Sequence, residues 1–96
     1  MAYSQSFIYA NEADVLNVAL FGMTAKMWRD SHPDSKGNIR DEATLKQLIV
    51  LVNMESMNAE LIKLGLPQYE RAMRLNRMAI EQLRSLETND DLRILE

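Results

Sequence analysis

Cysteine is absent from this 96-residue chain, which excludes disulfide frameworks, thiolate zinc sites and cysteine nucleophiles and fits a reducing, cytoplasmic setting. Histidine occurs once, as His32, so any Ser-His chemistry would depend on a residue standing directly before Pro33. It reads as an exposed loop side chain. Glycine and proline are scarce, three and two, and each falls where a helical pattern breaks. Three isolated glycines cannot build a phosphate-cradling loop. Long apolar runs are missing too: residues 18–21 and 48–52 are the longest, far short of the roughly 20 residues a bilayer needs. The N-terminus has no basic segment followed by an apolar one, so neither a membrane nor a secretory address is expected. Positive charge is not in excess. Eleven Lys and Arg stand against fourteen Asp and Glu, for a net of −3, which argues against a domain whose main task is gripping phosphates.

Catalytic and metal-binding patterns also fail. The acidic residues are scattered over polar faces, with no pair drawn into one pocket by spacing. The frame from Asp30 to Asp41 has the length of a calcium loop, but it carries His32 third, Ser35 where glycine is needed, and aspartate last. No catalysis, cofactor or metal is expected.

What remains is 47% hydrophobic and 26% charged, with seven methionines suited to irregular packing gaps. A chain of this size buries roughly 60 to 70% of its unfolded surface, enough for one core that a partner subunit would help to complete. The expected fold is all-α, with four helices: two short ones, then a long helical hairpin. An extended or strand-like arm over 1–10, carrying Phe7, Ile8 and Tyr9, precedes a single helical domain over 11–87. A tail over 88–96 loses the rhythm and is open to docking or disorder.

Asn11 is placed to cap a first helix over 12–21, with Glu12 and Asp14 in its positive first turn and Gly22 just past its end. Thr24 caps a second helix over 25–31, which Pro33 stops. The third helix is expected from Ile39 or Asp41 to Leu64, closed by Gly65. At 100° per residue it carries two apolar stripes: Leu45, Leu48, Val52, Ala59 and Ile62, then Ala43, Val50, Met54, Met57, Leu61 and Leu64. A helix apolar over most of its circumference should be packed on two sides, by its neighbours or by a second subunit. Glu55 and Asn58 fall inside the apolar arc and need partners, since an unpaired buried polar group costs roughly 1 to 3 kcal/mol. Arg40, Trp28 and Asn76 are the candidates, with Arg40 favoured for Glu55 and an Asn58–Asn76 bond as a register device.

The fourth helix, over 68–87, has a seam of Ala72, Leu75, Ala79, Leu83 and Leu86, and the short turn before it forces a hairpin. Two features could meet a nucleic acid. One is the helical corner about Gly22, offering Lys26 and Arg29. The other is a face of the last helix bearing Arg71, Arg74, Arg77 and Arg84, with Glu70 and Glu81 among them. A solvated surface of ion pairs is the plainer reading of both.

The runs YANEADVLNVALFGMTAKMWRD (9–30), GNIRDEATLKQLIVLVNMESMNAELIKLGL (37–66) and ERAMRLNRMAI (70–80) together resemble the C-terminal region of KilA-N domain proteins of phages and bacterial mobile elements. The resemblance implies a DNA-associated setting, with DNA contact in an upstream KilA-N domain that this chain lacks. It carries over no catalytic or ligand residue. Glu42 departs from the pattern, which leads one to expect an aromatic residue there. The arm then reads as a linker remnant, and the domain as a non-catalytic accessory unit for self-association, a dimer above all, or for binding another protein. Direct nucleic-acid binding is the alternative.

Overall fold

A computed structural model describes residues 11–92, with side chains as far as residue 87. Four helices follow one another: α1 (Glu12–Phe21), α2 (Ala25–Ser31), α3 (Leu45–Lys63) and α4 (Gln68–Leu92). The fold is all-α, without a strand among the described residues. The expected arm over 1–10 lies outside them.

Each start and stop has a local cause. The Asn11 side chain accepts from the Asp14 N–H at 2.9 Å, and Gly22 ends α1 in the left-handed region at φ 79°. Thr24 caps α2 through the Met27 N–H at 3.1 Å. α3 begins at Leu45, later than the expected Ile39 or Asp41, because two polar devices claim the intervening residues. Asn38 and Asp41 bond reciprocally: Asn38 Oδ1 accepts from the Arg40 and Asp41 N–H groups, and Asp41 Oδ2 accepts from the Asn38 N–H at 2.9 Å. Thr44 and Gln47 then form a capping box, which starts the helix at the next residue.

α3 closes in a Schellman turn. Leu66 N–H donates to the Leu61 carbonyl at 3.1 Å and Gly65 N–H to that of Ile62 at 2.9 Å, with Gly65 at φ 80°. Pro67 follows, and its carbonyl accepts from Arg71 N–H as α4 opens. α4 runs to Leu92, five residues past the expected end, since no glycine or proline follows Pro67 to stop it.

The three longer helices share one core. Val15, Leu16 and Ala19 of α1 meet Val50, Leu51, Met54 and Leu61 of α3 and Leu75 and Ala79 of α4. Asn53 donates to Gln82 at 2.9 Å across the hairpin, setting α3 and α4 antiparallel. Trp28 is buried and stacks on His32 at 4.2 Å between ring centroids. His32 Nδ1 lies 2.8 Å from the Trp28 carbonyl, so this histidine closes α2 while its ring edge remains exposed. Glu42 lines an open notch with Phe21, Met23, Trp28 and Ile39, an apolar setting for a position where an aromatic side chain is expected.

Gly65 meets nothing within 4 Å of where a Cβ would stand, so its requirement is conformational alone. Gly65→Ala should therefore cost about 1 to 2 kcal/mol in urea unfolding, the price of a left-handed non-glycine residue. An unchanged midpoint would mean that the turn re-forms without the left-handed residue.

Candidate functional site

Two features of α3 stand out, one on its inner face and one on its outer face. Inside is a polar clamp joining three helices. Arg71, on α4, is buried, with only 8% of its side chain exposed. Its Nη1 donates to Glu12 Oε1 and, at 2.9 Å, to Asn58 Oδ1; its Nη2 donates to Glu12 Oε2 at 3.2 Å, and its Nε to the Leu66 carbonyl at 3.0 Å. Asn58, on α3, returns a bond from Nδ2 to Glu12 Oε1 at 2.9 Å. The Arg71–Glu12 pair is therefore bidentate, and no buried side-chain polar atom among the described residues lacks a partner. Arg71 holds the Glu12 carboxyl below the usual range chiefly by hydrogen bonding; burial opposes this, and Asn58 adds to it.

The expected polar network is arranged differently. Asn58 is buried, but its partners are Arg71 and Glu12, not Asn76. Asn76 instead donates to the Ala19 carbonyl at 2.9 Å, fastening α4 to α1. Glu55 is exposed, a correction of its expected burial, because the face of α3 that carries it is covered by neither α1 nor α4. Arg40 bonds to Asn17 Oδ1 through Nε at 3.2 Å, tying the 38–43 turn to α1, and so is not the partner of Glu55. Asn17 is itself buried.

The arginine face is corrected as well. Arg71 points inward, leaving Arg74, Arg77 and Arg84 exposed beside exposed Glu70 and Glu81. Its wheel position gave a usable signal: Arg71 lies four residues before Leu75 and eight before Ala79, on the buried seam. At the helical corner, Lys26 pairs with Asp30 at 2.9 Å and Arg29 is exposed. No three His, Asp or Glu side chains cluster as a metal site among the described residues. No described helix is long and apolar enough to cross a membrane.

The outer face is apolar. Leu45 is 74% exposed, Val52 64%, Ile62 46% and Leu48 37%. Ala59 and Glu55 lie exposed on the same side. This is the first of the two expected stripes; the second supplies Val50, Met54 and Leu61 to the core. Compared with protein-family models, curated proteins and solved structures, the chain matches none.

The clamp is asymmetric, which sets the result of cutting it. Glu12 is 44% exposed and can turn to water when Arg71 is removed, whereas Arg71 stripped of Glu12 is a buried cation without a counter-ion. Glu12→Ala should cost about 3 kcal/mol in urea unfolding, more than Arg71→Met; the reverse order would show that Arg71 rehydrates freely. Because the folded pKa of Glu12 is depressed, the unfolded chain binds its proton first as the pH falls. Its stabilisation is full above the ordinary value of 4.5, shrinks below it, and is gone below the folded pKa. Urea midpoints followed downward from neutral pH should show this loss in the native chain and a smaller one in Glu12→Gln; parallel curves would remove Glu12 as its source.

Proposed function

We propose that this chain is a non-catalytic protein-association module, in keeping with its resemblance to the C-terminal region of KilA-N proteins, and that its contact surface is the outer face of α3. The observation that carries the reading is the large apolar side chains Leu45, Leu48, Val52 and Ile62 held at the surface along one side of a well-capped helix. A contiguous apolar surface costs solubility and stands most often where a protein meets another. Nucleic-acid binding draws less support, because Arg71 is committed to the clamp and Lys26 to Asp30. We place DNA contact in an upstream KilA-N domain, and the module in the cytoplasm.

The reading requires that the α3 face contribute nothing to folding of the single chain. A Leu45→Glu, Val52→Glu double variant should retain its stability in dilute solution to within about 0.5 kcal/mol. The native chain's melting temperature should rise with protein concentration while the variant's does not. A dilute-solution loss of the size of a core truncation such as Met54→Ala, about 2 to 5 kcal/mol, would mean that the face is covered within its own chain, and the reading would fall.

A further inference from the structure

We infer that the occupant of the α3 face is a second copy of this chain, lying antiparallel to the first about a two-fold axis between Asn53 and Met54. The inference rests on the association reading above and adds the partner, the orientation and the register. Leu45, Leu48, Val52, Glu55, Ala59 and Ile62 are separated by three, four, three, four and three residues. That is the a and d spacing of a two-stranded coiled coil, and all six side chains are exposed in the single chain.

The contents of the six positions select the orientation. Reversed about the point between Asn53 and Met54, Leu45 faces Ile62, Leu48 faces Ala59 and Val52 faces Glu55. Large thus meets small at the second pair, as interdigitating layers require. A parallel pair would set Ala59 against Ala59, leaving a gap, Leu48 against Leu48, and Glu55 against Glu55 at one level. The antiparallel pair separates the two Glu55 carboxylates along the axis and lays each beside an apolar Val52. An isologous contact of this kind closes on itself as a dimer and leaves no free seam for further growth.

Position in the fold permits it. α1 and α4 cover the Asn58 and Asn53 sides of α3, and the seam runs along what is left, edged by Ile49 and Ser56. The helix is about 28 Å long, so the contact is at the small end of stable interfaces. Because α3 is already folded, association costs mainly rigid-body freedom, and a dissociation constant on the order of micromolar is expected.

The absence of cysteine makes the register directly readable. Within one chain, positions 45 and 62 are about 25 Å apart along α3, beyond the roughly 7 Å that a disulfide spans, so any link between them joins two chains. Leu45→Cys protein mixed with Ile62→Cys protein under mild oxidation should give the mixed disulfide dimer in at least tenfold excess over either self-linked product. In sedimentation equilibrium, Glu55→Leu should tighten the native dimer at least tenfold, since it removes the one charge from the seam without touching the core. Self-linking of Leu45→Cys alone would indicate a parallel pair and overturn the inference, while the association reading stands. A native chain that stays monomeric to its solubility limit, with Glu55→Leu equally monomeric, would exclude the second copy as occupant. The dilute-solution stability of the Leu45→Glu, Val52→Glu variant would then decide separately whether the face is covered by residues 1–10 or by a different protein.

Discussion

A guanidinium cannot be withdrawn from water without partners, and in this fold Arg71 is withdrawn. Three elements must converge on it: Glu12 from the first turn of α1, Asn58 from α3, and the Leu66 carbonyl from the turn between α3 and α4. Each answers a different need. Glu12 supplies the opposite charge, and Asn58 occupies a donor while bonding the same carboxylate. The Leu66 carbonyl uses the remaining Nε–H. Apolar packing of Val15, Leu16 and Ala19 is non-directional and by itself sets the position of α1 along the hairpin only loosely. The directional bonds remove that freedom. They fix where α1 begins, and through Asn76 and the Ala19 carbonyl the far end of α1 is fixed as well.

α3 shows the consequence in reversed form. Its core side carries a buried amide and its solvent side carries leucine, valine and isoleucine. Val50, Leu51, Met54 and Leu61 share that core side, so the amphipathic pattern is inverted only locally, at one amide inside and one apolar stripe outside. The inversion persists because the inner amide is fully bonded, so its burial costs little. The outer stripe finds no described element of the chain to cover it.

This inversion also marks where reading the sequence succeeds and where it stops. The ends of α1, the start of α2 and the close of α3 were legible because caps act over three or four residues: Asn11, Gly22, Thr24 and Gly65 each do locally what their type predicts. The start of α3 was not, because apolar periodicity at Ile39 and Ala43 looks helical until the reciprocal Asn38–Asp41 bonds and the Thr44–Gln47 box take those residues out of the helix. Both stripes of α3 could be read from their spacing, but not which one the core would choose, since they are nearly equal in bulk. Partnerships across long sequence distances were the least accessible. Glu12 looked like a first-turn acid complementing a helix dipole, and Arg71 like one of a row of surface arginines. Only the three-dimensional approach of residues 59 positions apart makes them a pair.

The choice between the two stripes follows from polar residues on both. By residue spacing the two stripes lie close to half a turn apart, so burying Leu48, Val52 and Ile62 in place of Val50, Met54 and Leu61 would take a large rotation of α3. It would carry Asn58 away from Arg71 and Glu12 and break its bonds to both, although Arg71 would keep Glu12, and it would turn the Glu55 carboxylate toward the apolar core. Asn58 thus favours the native face and Glu55 bars the alternative, one by attraction and the other by desolvation. A carboxylate that is prohibitive inside a three-helix core is tolerable on a two-helix seam, whose edges stay open to water. The same residue therefore keeps the stripe out of the core and, in the antiparallel pair we propose, would keep the association weak enough to reverse.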